Sequence, residues 1–231
     1  MIKKGLSQEA LKLIACITML IDHMAAVFGF ALKWRVIGRL AFPIYCFLLA
    51  EGAHHTRNSK KYALRLAIGA LLAEIPFDFA FFGRLYWGHQ NVMLTLLLGF
   101  FALKAIEKCG SLPTKLLSAI PFAALAALMN TDYGWQGVLL IALFGLVRER
   151  PEKWAWLIAG MSVLFMLIPS SIRMIFGMRV PIQIFGLASL VPMWLYSGEK
   201  ASGSKLLQWG FYLFYPAHML LLWLAKLMIN F

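Results

Sequence analysis

Two ionisable residues in the first apolar stretch have the types and spacing for chemistry. Lys12 and His23 stand 11 residues apart. At 100° per residue that separation is about 1100°, roughly 20° past three full turns, so both fall on one face of a helix. The rise between them is about 16 Å, about half the hydrocarbon thickness of a bilayer. A cation near one surface can hold an anion while an imidazole deeper in acts as a general base. The same spacing also fits a snorkelling lysine and a histidine bonded to a neighbouring helix. Asp22 points about 100° away from His23. Its expected partners are therefore Arg35 and Arg39, at the start of the next apolar stretch.

More ionisable residues come after these. Glu51-Gly52-Ala53-His54-His55-Thr56-Arg57 ends the second apolar stretch, and Lys60, Lys61 and Arg65 come next. Arg57, Lys61 and Arg65 would form one basic stripe on a helix, suited to a nucleotide-like cofactor or to lipid headgroups. Glu74 and Asp78 share a face at i and i+4, with Pro76 between them. Two carboxylates beside a kink suit a bound cation, buried ion pairs or an acid and base. His89-Gln90-Asn91 opens the next stretch, and Tyr215-Pro216-Ala217-His218 puts a second deep histidine on the last one. Two such histidines favour a shared polar cavity. Asn130-Thr131-Asp132-Tyr133-Gly134 has an acid and no base, as an amine site or as a plain turn. Cys16, Cys46 and Cys109 lack the spacing of a disulfide framework or a CxxC zinc site. No Walker loop, GxGxxG, HExxH or hydrolase elbow is present, and no metal site is expected.

The elements that carry these residues are set by composition. The 231-residue chain is 61% hydrophobic and only 14% charged, with a mean hydropathy of +0.76. Soluble domains carry roughly 25% charged residues. A soluble enzyme, a disordered chain and a basic nucleic-acid module are therefore excluded. Apolar stretches recur near 9–32, 35–55, 62–83, 90–106, 113–129, 135–148, 154–169, 180–197 and 206–228, separated by Gly, Pro and polar breaks. The expectation is one all-α domain over 1–231, a polytopic integral membrane bundle of about nine transmembrane helices. The net charge of +12 tests the orientation. With the N-terminus inside, 15 of the 22 Lys and Arg fall on the inner side and seven on the outer, as the positive-inside rule favours. This makes the chain N-in and C-out. The first apolar run does not read as a removable signal peptide, because it holds Asp22 and His23 and lacks a small-residue cleavage site.

A family resemblance runs through these residues. Leu11 to Cys16, Met19-Leu20-Ile21-Asp22-His23 and Ile37-Gly38-Arg39-Leu40-Ala41-Phe42-Pro43 resemble the TraX family. So do Glu51-Gly52, Thr56-Arg57-Asn58, Tyr62 with Arg65-Leu66, and Glu74-Ile75-Pro76-Phe77-Asp78. Gln90-Asn91-Val92, Tyr133-Gly134 with Gly137, and Tyr215-Pro216-Ala217-His218 also fit, and the likeness is densest over residues 10–100. The resemblance implies a pilin acetylase of conjugation systems, related to a wider superfamily of membrane acyltransferases. In many of those a first-helix Arg precedes a His, and here Lys12 and His23 hold those positions. Lys keeps the charge and loses the bidentate fork.

The same resemblance implies an acetyl-CoA-dependent N- or O-acetyltransferase of the bacterial cytoplasmic membrane. Its acceptor would be an amine or hydroxyl of a pilin-like peptide or a cell-envelope saccharide, and nucleic acid is not a partner. His23 would be the general base, with Asp22, Arg39, Glu74, Asp78, Asn91 and His218 around it and Arg39 or Asn91 stabilising the oxyanion. Lys12, Arg57, Lys60, Lys61 and Arg65 would hold the donor on the cytoplasmic side. The rival from a different class is a proton-coupled small-molecule transporter using Glu74, Asp78 and His218. The absence of an inverted repeat counts against it.

Overall fold

The computed structural model describes residues 5–168, 172–175, 178–199 and 205–229. Lys3, Lys4 and Lys200, which enter the charge count, and the 200–204 part of the last break lie outside them. Among the described residues, all nine apolar stretches are helical segments.

Local chemistry sets most boundaries. The first helix, α1 (Gln8–Val27), starts at Ser7, whose hydroxyl accepts from the Ala10 N–H at 3.2 Å. The second apolar stretch is broken into α2 (Leu32–Gly38) and α3 (Ala41–His55). Pro43 is the reason: it has no N–H to give the Arg39 carbonyl, and its ring would collide with it. Next, α4 (Ser59–Phe82) is capped by the Asn58 side chain and ends at Gly83, where φ is +69°. Arg57 therefore precedes the helix, and the basic stripe shrinks to Lys61 and Arg65. The Asn91 side chain caps α5 (Val92–Ile106), and a Ser111–Thr114 capping box starts α6 (Leu112–Leu128). Two more helices come next, α7 (Gly134–Val147) and α8 (Lys153–Leu167).

The break expected over 170–179 contains an antiparallel hairpin, β1 (Ile172–Ile175) with β2 (Met178–Pro181), pairing Ile172 with Pro181 and Ile175 with Met178. Its Ile and Val content favours strand. The stretch after it is a 3₁₀ helix (Ile182–Ser189) running into the short α9 (Leu190–Trp194). Pro192 cannot bond back to residue 188, and the Ser189 hydroxyl takes the Gly186 carbonyl at 2.6 Å. The last helix is α10 (Lys205–Ile229), with Pro216 inside it.

Three of the nine segments, Gln8–Val27, Leu32–His55 and Trp209–Ile229, are long and apolar enough to cross a membrane. Five are shorter apolar helices. The remaining one, α4, is long but carries Lys60, Lys61, Arg65, Glu74 and Asp78. Large apolar side chains point outward all around the bundle, among them Leu71, Ile75, Leu117, Leu128, Val163 and Leu221.

Cross-links fix which ends meet. At one end Leu6 bonds Leu195 and Ser197 bonds Leu6, Arg148 holds Glu51 at 2.8 Å, and Lys104 bonds the Ala53 carbonyl. At the other, Gln90 and Asp132 pair backbones, Gln136 bonds the Leu167 carbonyl, and Arg39 bonds Gln183. We call these the basic end and the far end. One core runs through α1, α3, α4, α5, α7 and α10. A second, alanine-rich core joins α5, α6 and α7 through Ala102, Ala119, Ala123, Ala126 and Ala142. Small residues let these backbones come close, as between membrane helices.

Helices α1 and α2 pack tightly at Gly38. A β-carbon at Gly38 would run into the Asp22 side chain. Gly38→Ala should therefore push Asp22 away from its arginines and destabilise the protein by about 1–3 kcal/mol. Thermal unfolding in detergent reads this directly, and an unchanged midpoint would refute the close-packing account.

Candidate functional site

Successive residues of α1 are tied to opposite neighbours. The Asp22 carboxylate is buried and bonds the Arg39 guanidinium through Oδ2 and Arg35 Nε at 3.3 Å through Oδ1. Arg39 also donates to the Arg35 carbonyl at 3.1 Å and to Gln183 Oε1 at 3.2 Å. His23, one residue on, faces α10. Its Nδ1 lies 2.7 Å from His218 Nε2, and His218 Nδ1 lies 2.7 Å from the Phe214 carbonyl oxygen.

That chain fixes the tautomers of the neutral pair. A carbonyl oxygen only accepts, so His218 Nδ1 carries a proton and donates it to Phe214. His218 Nε2 is then an acceptor, and His23 Nδ1 donates to it. His23 Nε2 is left with a free lone pair and no protein partner among the described residues. A third group thus orients His23, an arrangement that hydrolytic triads use to orient their base.

His23 lines a pocket of about 280 Å³ with Asp22, Arg39, His89, Asp132 and Tyr215 among its walls. A second pocket of about 240 Å³ lies toward the basic end, lined by Gln8, Lys12, Gly52, Tyr62 and Arg65. The two share Tyr45, Met93, Leu96 and Phe211. A third, of about 570 Å³, lies at the far end around Asn130 to Gln136 and shares Arg35, Arg39, His89, Asp132 and Tyr133 with the histidine pocket. The three adjoin in series from one end of the bundle to the other.

The basic-end pocket holds two cations. Lys12 Nζ sits 5.3 Å from the Phe211 ring centroid. The Arg65 guanidinium lies 5.4 Å from Tyr62 and 5.6 Å from Tyr212, and its buried Nε has no partner. Arg57, Lys60 and Lys61 are exposed and line neither this pocket nor the histidine pocket.

The remaining candidates are held elsewhere. The Asn91 side chain is fully used: its amide donates to the Ala70 carbonyl at 2.8 Å and to Glu74 Oε2, and its oxygen accepts from the Met93 N–H at 2.9 Å. Asp78 is buried and accepts from the Tyr86 N–H at 2.8 Å. Neither Glu74 nor Asp78 hydrogen-bonds to the histidine pair. At the far end, burial raises the Asp132 carboxyl above the usual aspartate range, while His89 and Arg39 pull it back. Tyr133 stacks on Phe42 with centroids 3.7 Å apart. No cluster of metal-ligating side chains occurs among the described residues.

Two wall residues had no signal in the sequence. Tyr45, held by Cys16 Sγ at 3.1 Å, and Phe211 lie where the first two pockets meet. In an apolar helix both look like packing. Tyr215 was visible only as a neighbour of His218.

A family model for the TraX protein matches residues 7–226. A probable fimbrial assembly protein FimC, serogroup H1, from Dichelobacter nodosus is 34% identical over 242 residues, covering 95% of this chain and 96% of that protein. No solved structure matches. By the extent of both matches, the chain belongs to the TraX family.

Proposed function

We propose that the protein is a multi-pass enzyme of the bacterial cytoplasmic membrane that moves an acetyl group from acetyl-CoA to an amine or hydroxyl. The observation that carries this is the hydrogen-bonded chain from His23 through His218 to the Phe214 carbonyl. It leaves a free imidazole nitrogen in a pocket that continues to a cationic end. The name of the Dichelobacter nodosus relative speaks of fimbrial assembly, which favours a pilin-like peptide as acceptor over an envelope saccharide.

The outward apolar surface supports a lipid environment, since soluble proteins rarely expose large contiguous apolar patches. The positive-inside rule turns the basic end to the cytoplasm, where acetyl-CoA is made. Lys12 and Arg65 are the residues to meet its phosphates, Arg65 with the geometry for two hydrogen bonds. The thioester arm then passes Tyr45 and Phe211 toward His23. The acceptor enters from the far end past His89 and Asp132. His23 Nε2 takes the acceptor's proton as its nitrogen or oxygen attacks the thioester carbon, and returns that proton to the departing thiolate. The carrier alternative has less support, because Glu74 and Asp78 are tied to Asn91 and Tyr86 rather than to the histidines.

Acetyl-CoA turnover by the detergent-solubilised full chain tests this. His23→Ala should abolish turnover while leaving acetyl-CoA binding intact, and wild-type-like turnover in that variant would remove the proposal. His218→Ala should lower kcat about 10²–10⁴-fold with little change in KM, the size seen when a base loses its orienting partner. Lys12→Ala with Arg65→Ala should do the opposite, raising KM for acetyl-CoA at least about tenfold with kcat largely kept. Unchanged KM in that double variant would move the donor site elsewhere.

A further inference from the structure

One polar group in the histidine pocket has no task in the acetyl-transfer scheme. Tyr215 sits three residues before His218 on α10 and lines the pocket. It is 4% exposed. Its ring centroid is 6.0 Å from that of His23 and 5.6 Å from that of His218. Its hydroxyl has no hydrogen-bond partner among the described residues. Buried tyrosine hydroxyls normally find one, and an orphaned hydroxyl destabilises the fold relative to phenylalanine of the same shape. The fold therefore keeps a hydroxyl whose proton no described residue accepts, beside the His23 pocket.

An acyl-transfer site needs a donor aimed at the carbonyl oxygen. The two donors expected to hold the oxyanion are engaged elsewhere. Arg39 bonds Asp22, the Arg35 carbonyl and Gln183, and Asn91 has no free N–H on its side chain. Val92, the first residue of α5, lines the same pocket as Tyr215.

We propose that Tyr215 is a catalytic residue, its O–H donating to the thioester carbonyl oxygen as that oxygen becomes an oxyanion. The inference rests on the acetyl-transfer reading. The acceptor's nitrogen or oxygen forms a bond to the carbonyl carbon, and its proton moves to His23 Nε2. The carbonyl π pair moves onto the oxygen, where the Tyr215 hydroxyl holds it. Collapse restores the carbonyl and breaks the C–S bond, and the thiolate takes the proton from His23. Tyr215 keeps its own proton throughout.

The test uses the full chain in detergent, acetyl-CoA as probe and release of the CoA thiol as readout. Tyr215→Phe should bind acetyl-CoA as the wild type does and lose roughly 10²–10³-fold in kcat, the usual effect of removing one oxyanion donor. Acetyl-CoA with the carbonyl oxygen replaced by sulfur accepts hydrogen bonds poorly. The wild type should discriminate against it, and Tyr215→Phe should discriminate less. A variant kcat within about threefold of wild type overturns the proposal. So does a wild type that turns over both donors equally, a result that needs no variant to fold. A wild type that neither binds nor turns over acetyl-CoA overturns the acetyl-transfer reading itself, and the role of Tyr215 falls with it.

Discussion

The buried ion pair between Asp22 and Arg39, with Arg35 beside it, is the constraint on which the rest of the site depends. Away from water, losing one partner of such a pair costs about 3–5 kcal/mol, a large part of a typical domain's stability. The pair therefore fixes how α1 is rotated about its axis against α2 and α3. Asp22 and His23 are adjacent and point about 100° apart. Anchoring the aspartate to one side turns the histidine to the other, toward α10 and His218. The break before α3 serves the same end. Pro43 frees the Arg39 carbonyl and bends the chain where Arg39 must reach back to Asp22. Gln183, from the 3₁₀ helix, accepts from another N–H of that guanidinium and ties a third element to the joint.

The three adjoining pockets divide polarity by function. The basic end has two cations and aromatic walls. The middle has His23 among Phe77, Phe81 and Phe82. The far end has Asp132, the carboxylate in that pocket with no arginine of its own, since Asp22 holds both Arg35 and Arg39. An anionic donor and a cationic or neutral acceptor would thus each meet the opposite sign on approach. A low-dielectric interior strengthens such interactions, so few charges are needed.

Much of this is legible in the sequence, and the reasons are specific. The nine apolar stretches become helical segments, three of them long and apolar enough to cross a membrane, because a helix bonds its backbone groups within the segment. The spacing of Lys12 and His23 puts them on one face, and both line the run of pockets. Asp22 pairs with the two arginines in reach. The sequence is silent on contacts made across long separations. Two deep histidines suggest a shared cavity, but nothing in the sequence gives the direct bond from His23 to His218, 195 residues away, or shows that Asn91 spends its side chain on Ala70, Glu74 and Met93. The basic stripe loses Arg57 because Asn58 caps α4 after it, and a cap outweighs a periodic pattern one turn upstream. The 3₁₀ helix leaves no distinct signal, because its apolar composition is also that of an α-helix, and the two four-residue strands are too short to show a period.

The unsatisfied buried atoms mark where this fold gives up stability. Arg65 Nε, Glu74 Oε1, Asp78 Oδ1, Gln183 Nε2 and Tyr215 Oη lack partners among the described residues. Each costs about 1–3 kcal/mol if left so. A bundle selected for stability alone would replace them with apolar residues. Their distribution is uneven. Arg65 and Tyr215 line the pockets directly. Gln183 buttresses Arg39, and Glu74 holds Asn91 at the end of α5 nearest the histidine pocket. The cost is concentrated on residues that line the pockets or support their walls. That is the pattern expected when polar groups are arranged for a molecule that binds, and not for the packing of the helices themselves.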